Sequence, residues 1–344
     1  MKSSVRKLLI VVGSTFAITM LSAAYIVFIL TPASSSGSAN ETSEYRMIVA
    51  QGATLRTVAR DLKDQGIIRS ADIFYLYARL KRVFLKAGIY KVRSDMSVAD
   101  ICTLLESGKH EYISVALSEG LTIHKIAQIL EKNEVTGADE FIKAASSPSL
   151  LMEWRIPALS FEGYLFPDTY NFDYNMNAER VVRLLVSSFF SKIEHIPELK
   201  NKTPEELHKI VILASIVERE YRLAEEAPLI ASVFTNRIKK DIGLYSCATV
   251  VYILTEIEGR PHPDIVTIKD TKIDNPYNTY KWSGLPPGPI SNPGLTALRA
   301  AASPPETPYY FFRLIDPAKG SHIFTENFEQ HKEAAPVPTK KAAQ

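Results

Sequence analysis

Residues 210–222 read IVILASIVEREYR, and eight uncharged residues, Ile210 to Val217, run directly into Glu218. A helix of that composition is apolar around its whole circumference and belongs in a protein interior. Its start is written just upstream. Thr203 stands at the cap, Pro204 at the first helical position and Glu206 three residues after the cap, a capping box. On such a helix Glu218 shares a face with Ala214 and Ser215 below it and with Tyr221 and Arg222 above it. The two small residues leave room for something to approach the carboxylate. Glu220 projects roughly 200° around the axis, so the two acids do not form a facing pair. Burial disfavours the charged form of a carboxyl group, and a carboxylic acid that keeps its proton near neutral pH can serve as a general acid. The stretch also has a plainer reading, in which Glu218 marks the helix's exit into solvent and Arg219, Glu220 and Arg222 continue a polar surface. Taken alone, these residues leave both readings open.

The rest of the chain bounds the choice. At 344 residues it can bury a sizeable core and organise two domains. Its 40 basic and 38 acidic residues leave a formal charge of +2, so no broad field argues for nucleic acid as a partner. Two cysteines, Cys102 and Cys247, build neither a disulfide framework nor a zinc site of the usual spacing. One bridge between them is arithmetically allowed, but Cys102 sits in an apolar helical pattern and reads as a core residue.

Leu8 to Leu30 is a run of 23 positions without a charge, long enough to cross a bilayer as a helix. Lys2, Arg6 and Lys7 precede it, and no basic residue follows until Arg46, which places residues 1–7 in the cytoplasm and everything beyond Leu30 outside it. The run exceeds the roughly 7–15 apolar residues of a signal-peptide core, so a retained anchor is the expectation. Residues 31–44, rich in Ser, Ala and Gly, read as a flexible tether.

Two segments then repeat each other at an offset of 68 residues: Met47-Ile48-Val49 leads to Gly52, Thr54, Leu55, Val58, Ala59 and Leu62, and Val115-Ala116-Leu117 leads to Gly120, Thr122, Ile123, Ile126, Ala127 and Leu130. Each reads as a strand, a glycine turn, a capping Thr and an amphipathic helix. Between them the pattern predicts a helix over Ala71–Lys81, a strand over Gly88–Val92 and a helix opening at Ser97. Units of this kind serve as scaffold or as binding surface, and the spacing does not choose between them. Residues 154–170 are irregular and aromatic, a composition found both where a sugar ring stacks and in ordinary buried turns. Asn177 is expected to cap a helix to about Glu194, with Val181, Leu184, Leu185, Ser188 and Phe189 as its stripe. A helix over about Glu225–Lys240 carries Asn236 and Arg237 near its end. The Pro- and Gly-rich stretch 274–294 excludes regular structure but costs little entropy to order, which suits a rigid binding wall. A helix over Leu295–Ala302, a hairpin of Tyr309–Leu314 with Ser321–Phe324, and a polar, disordered tail over residues 332–344 complete the expectation.

Seven histidines are scattered without metal-site spacing, and no phosphate loop, dinucleotide fingerprint or nucleophile elbow occurs. Neither a metal nor an organic cofactor is expected. His262, between two prolines, and His322, at a strand start, read as structural.

Several longer words resemble those of the endolytic murein transglycosylases of the MltG (YceG-like) type. They are FEGYLFPDTYNF at 161–172, LASIVERE around Glu218, the Val233–Arg237 run, PYNTY at 276–280 and GLPPGPISNPG at 284–294, in family order and behind a single amino-terminal span. The resemblance implies an α+β fold: a transmembrane helix at 8–30, a small LysM-like strand-and-helix subdomain at 45–112, and a mixed α+β catalytic domain at 113–331 that includes the second repeat unit at 113–135. It implies non-hydrolytic cleavage of the β-1,4 bond between N-acetylmuramic acid and N-acetylglucosamine, leaving a 1,6-anhydro end, with Glu218 as the catalytic residue. Asn236, Ser246, Thr249, Tyr277, Asn278, Thr279, Tyr280, Pro287 and Asn292 are the substrate-binding residues it marks. The partners implied are peptidoglycan strands, the inner membrane and peptidoglycan synthases.

A lone carboxylate suits that chemistry, because hydrolytic glycosidases normally need two whereas the sugar's own 6-hydroxyl can replace water as nucleophile. One departure stands out. Where the family usually reads Gln-Ser-Asp-Pro-Thr-Val, this chain reads Tyr245-Ser246-Cys247-Ala248-Thr249-Val250. Tyr221, where the family often has Thr, is a milder one. Two alternatives accompany the principal reading: a catalytically weak glycan-binding scaffold, supported by the Cys247-Ala248 replacement, and a hydrolase pairing Glu218 with a second carboxylate such as Asp168.

Overall fold

The computed structural model describes residues 2–33, 44–50, 52–108 and 111–334; residues 34–43 of the expected tether and 335–344 of the expected tail lie outside them. The chain divides into two compact units, residues 1–113 with 171–175, and residues 114–170 with 176–344.

In the first unit, helix α1 (Lys2–Leu30) contains the apolar span Val12–Leu30, long and apolar enough to cross a bilayer. Its last carbonyls are not left bare. The Arg69 guanidinium donates to the carbonyl oxygens of Phe28 at 2.8 Å and Thr31 at 2.7 Å, and lies 4.3 Å over the Phe28 ring, a cation placed where orphan carbonyls and the helix dipole favour one. Strand β1 (Glu44–Val49) pairs antiparallel with β2 (Gly88–Arg93), setting Met47 opposite Tyr90. Helices α2 (Leu55–Asp64), α3 (Ala71–Leu80) and α4 (Val98–Ser107) supply Leu62, Phe74 and Ile101 to the core beneath that sheet. Thr54 and Ser97 cap α2 and α4 as the sequence pattern predicts, Ser70 caps α3, and Ser97 forms a full capping box with Asp100.

The second unit opens with β3 (Ile113–Ala116), which pairs with β4 (Thr169–Phe172). Between these strands run α5 (Ile123–Lys132), capped by Thr122, and two short helices absent from the sequence expectation, α6 (Ala138–Ala145) and α7 (Pro148–Glu153). Helix α8 (Ala178–Ile193) buries Val181, Val182, Leu185, Val186 and Phe189; its apolar stripe is therefore rotated away from the expected Leu184 and Ser188, which are only half-buried.

Helix α9 (Pro204–Glu220) is the centre of this unit. Both hydrogen bonds of its capping box are present, and every residue from Val211 to Val217 is buried. Each fully buried Val or Ile contributes roughly 1.5–3 kcal/mol, so this helix is a principal source of the unit's stability. Around it pack α10 (Ala227–Lys239) and, beyond α11 (Cys247–Tyr252), α12 (Leu295–Ala302). A π-helical turn, Ile253–Ile257, continues α11. The hairpin of β5 (Phe311–Asp316) and β6 (Ser321–Thr325) joins α10 through an edge-on Phe234–Phe312 contact of 5.6 Å. Helix α13 (Phe328–Glu333) follows, so Lys332 and Glu333, expected at the start of the tail, are helical.

The irregular stretches are held by a buried polar node. Glu162 accepts the Ile123 amide at 3.2 Å and the Asn292 side-chain amide at 2.8 Å, while Asn292 accepts the Leu165 amide at 2.8 Å and donates to the Leu121 carbonyl at 2.9 Å. Phe161, Tyr164, Leu165 and Phe166 around it are buried, and the Tyr164 hydroxyl meets His208 Nδ1 at 2.9 Å. Within this aromatic stretch, residues 161–166 form a buried turn.

Two outcomes follow from this packing. Gly163 has φ +87°, and a Cβ there would fall 2.6 Å from Pro289 Cγ and 2.7 Å from Val211 Cγ1; Gly163→Ala is expected to cost about 2–4 kcal/mol in chemical denaturation. Burial pushes Glu162 up to about 8, from an ordinary value of 4.5, with the Ile123 amide opposing, Glu256 adding and the Asn292 amide opposing. The folded protein thus holds a proton that the unfolded chain loses near pH 4.5, so this group's contribution is complete below that pH and is lost as pH rises toward 8. Melting curves of Glu162→Gln should lack that decline, and parallel curves for variant and parent would show that another group titrates.

Candidate active site

The small-residue face of α9 is occupied by the last part of the Pro-rich segment. Ser215 Oγ accepts the Ile290 amide at 3.0 Å, and Ser291 Oγ donates to the Ser215 carbonyl at 3.0 Å. One helical turn further on, the Gly294 amide donates to Glu218 Oε2 at 2.9 Å. Ala214 and Ser215 therefore leave room for a protein segment, which carries its own backbone donor up to the carboxylate. A donor at the start of α12 is apt, because the first amides of a helix lack intrahelical partners and favour negative charge.

Glu218 is half-buried at the C-terminal end of its helix. The Tyr221 hydroxyl, one turn away, donates to it at 3.2 Å. Burial pushes the Glu218 carboxyl up to about 7; the Gly294 amide opposes, Glu119 adds to the rise, and Tyr221 and Arg219 oppose. The group can consequently give up or accept a proton near neutral pH. Of the two readings of this residue, a plain exit into solvent does not describe it.

Glu119 was not among the residues singled out from the sequence. It stands in the turn between β3 and α5, where Gly120 has φ +74°, donates its amide to the Asn292 carbonyl at 2.9 Å and accepts Arg219 Nη1 at 3.2 Å. The signal was present in the repeat: 68 residues earlier the sequence reads Gln51, so the second copy of the word has a carboxylate where the first has an amide. Asp168, proposed as a second acid, is instead held by Lys192 at 2.8 Å and by the Thr169 amide, with both charged groups exposed.

Glu220 lies away from Glu218, as the helical geometry requires. Its carboxylate accepts the Ser246 hydroxyl at 2.5 Å; burial pushes its pKa up, with Ser246, Arg219 and Arg237 opposing. It lines a pocket of about 460 Å³ together with Arg237, Tyr245, Ser246, Cys247, Tyr280 and a group of phenylalanines. Ser246 and Tyr280 are thus the two expected binding residues that the structure brings to this pocket. Cys247 Sγ lies 3.0 Å from the Tyr280 hydroxyl at its rim. Both cysteines are free, Cys102 buried and Cys247 exposed.

Other expected contacts build walls. Asn278 is fully buried, donating to the carbonyls of Thr271 and Ile273 and accepting the Tyr280 amide. Thr279 and Thr249 bond each other at 3.0 Å, and Thr279 also accepts the Ser246 amide. Asn236 donates to the carbonyls of Thr307 and Tyr309. Asn292 is consumed in the Glu162 node. The amide donors of Asn236, Asn278 and Asn292 and the Thr249 hydroxyl are spent on acceptors within the protein, where they fix the loops. Tyr277, half-buried, packs 5.1 Å from Tyr252, and Pro287 is exposed. The departure at 247–248 falls on the first two residues of α11, with Ser246 as its cap. An Asp and a Pro are both well suited to a helix's first turn; Cys and Ala forgo the favourable charge there, about 0.3–1 kcal/mol, without disturbing the helix start.

Comparison with known proteins places this geometry. An endolytic murein transglycosylase of Bacillus subtilis (strain 168) is 30% identical over 306 residues, covering 83% of this chain and 82% of its own length. Another, from Streptococcus pneumoniae serotype 2 (strain D39 / NCTC 7466), is 27% identical over 325 residues, covering 85% of this chain, which spans 58% of that relative's length. A crystal structure of a putative YceG-like protein from Listeria monocytogenes matches with a TM-score of 0.58 at 29% identity, over 86% of this chain and 100% of its own. The sequence pattern of the YceG-like family extends over residues 47–336. That match runs from β1 past α13 and takes in both Glu218 and the segment that receives it: the chain belongs to the YceG-like family.

Proposed function

We propose that the protein is an endolytic lytic transglycosylase of peptidoglycan, with Glu218 as its single acid and base. The observation that carries the reading is the setting of Glu218, a half-buried carboxyl poised near neutral pH with a backbone donor and a tyrosine hydroxyl upon it. The names borne by its relatives in Bacillus and Streptococcus support the substrate.

In this reaction Glu218 gives its proton to the bridging oxygen between N-acetylmuramic acid and N-acetylglucosamine as the bond from C1 to that oxygen breaks. The resulting carboxylate takes the proton from the muramic acid's 6-hydroxyl as that oxygen bonds to C1, which closes the 1,6-anhydro ring and restores the acid. No water is consumed, and one residue serves both steps. The Gly294 amide and the Tyr221 hydroxyl stabilise the carboxylate form between them. The span Val12–Leu30 is compatible with a single-pass anchor, and the basic residues before it favour a cytoplasmic amino terminus with the catalytic domain on the periplasmic side. From that position the enzyme would cut nascent strands and limit their length, beside the synthases that make them. The LysM-like reading of residues 45–112 belongs to the same proposal, as a glycan-holding module.

Digestion of purified peptidoglycan by the full-length protein in detergent, with the fragments weighed, tests this directly. Anhydro ends, one water lighter than reducing ends, are expected. Glu218→Gln should lower the rate by at least about 10²–10⁴-fold with its melting temperature preserved. Reducing ends would indicate hydrolysis, and intact glycan would indicate a binding scaffold.

A further inference from the structure

We propose that Glu119 is a positioning residue of the active centre, its carboxylate seated against the Gly294 backbone so that its charge holds the proton on Glu218. The inference rests on the reading of Glu218 as the acid and adds to it a second carboxylate whose task is electrostatic.

The geometry of Gly294 carries the argument. Its backbone, φ −83° and ψ 179°, is extended and open to any residue, so conformation does not call for glycine. Space does. A Cβ at Gly294 would fall 1.9 Å from Glu119 Oε1 and 2.4 Å from its Cδ. The Glu119 side chain therefore occupies the place where a side chain of residue 294 would be, while the amide of the same residue donates to Glu218 at 2.9 Å. The two carboxylates converge on one glycine from different elements. Gly120 keeps them there: its Cα faces Glu218, with a Cβ position 3.7 Å from Glu218 Cγ, and its φ of +74° confines the position to glycine.

The groups facing Glu218 from each element are few. Glu119 comes from the turn before α5. Arg219 and Tyr221 come from α9, and the Arg219 guanidinium is drawn off to the Gly120 carbonyl at 3.2 Å. The start of α12 supplies the Gly294 amide, with Thr296 bonded to the Tyr221 phenol. Glu119 is the one negative charge in that set, and a second anion beside a half-buried carboxyl makes its ionisation dearer. The same arrangement acts on Tyr221, whose pKa is raised first by burial and then by Glu218 and Glu119.

The test is the pH dependence of kcat/KM on peptidoglycan, measured with the full chain in detergent. Glu119→Gln removes the charge. Gly294→Ala keeps it but displaces the carboxylate, because the new methyl group takes its place. Both variants should move the basic limb to lower pH by about 0.5–1 unit, which at pH 8 reads as a loss of about 3–10-fold with little change at pH 5.5. Glu119→Asp, which keeps a charge in the turn, should recover part of the shift. An unmoved limb in both Glu119→Gln and Gly294→Ala, including a uniform loss at every pH, overturns the proposal while leaving Glu218 as the acid. A fully active Glu218→Gln overturns instead the reading beneath it.

Discussion

The second unit depends on the seating of residues 290–294 on the small-residue face of α9. Backbone and side-chain bonds hold that segment: two with Ser215, one with Glu218, the Asn292 backbone bonded to Leu121 at 2.8 Å and to Gly120 at 2.9 Å, and the Asn292 side chain bonded to Leu121, Leu165 and Glu162. The helix is buried from Val211 to Val217, so an approaching chain must either satisfy its polar groups there or forfeit about 1–3 kcal/mol for each one left bare. Ser215 answers that requirement with two acceptors, its hydroxyl and carbonyl oxygens, and no bulk. Where the segment leaves the helix, the last amide it offers is the one that meets Glu218. The stabilising contact and the contact with the proposed acid are consecutive turns of one interface.

Five influences then compete at that carboxylate. Burial and the nearby Glu119 favour the proton; the Gly294 amide, the Tyr221 hydroxyl and Arg219 favour the charge. The first set prevails and brings the group to about 7, where a carboxyl can first give a proton and then take one. A carboxylate deeper in the protein, such as Glu162, is held further from neutrality and spends its oxygens on structural amides. Glu220, though close in sequence, faces the pocket it lines with Arg237 and Ser246. Three acids within or against the same helix bundle thus differ in role through their surroundings alone.

Much of this was legible in the sequence where the signal is local. Thr203, Pro204 and Glu206 set the start of α9, the repeat at an offset of 68 located two strand-turn-helix units, and Gly and Pro marked the irregular wall. What escaped was non-local. Ala214 and Ser215 announced a space without saying that a segment some 75 residues later fills it. Asn278, Thr279 and Asn292 lie in words that resemble a substrate cleft, but only the fold shows their polar atoms already spent on carbonyls and amides. Glu119 has no local signal of its own, because the repeat reads equally as scaffold or as binding surface. Helix α11, with Thr249, Val250 and Val251 in sequence, carries weak local propensity and forms because Thr249 and Val250 are buried.

The central claim is that the fold holds Glu218 at the edge of ionisation. Carbon-13 NMR of the full-length protein in detergent, with labelled glutamate side chains and Glu218→Gln to assign the resonance, reads that state directly. A titration midpoint near pH 7 is expected. A midpoint near the ordinary value of 4.5 would show a solvated carboxylate at a helix end and would contradict the account.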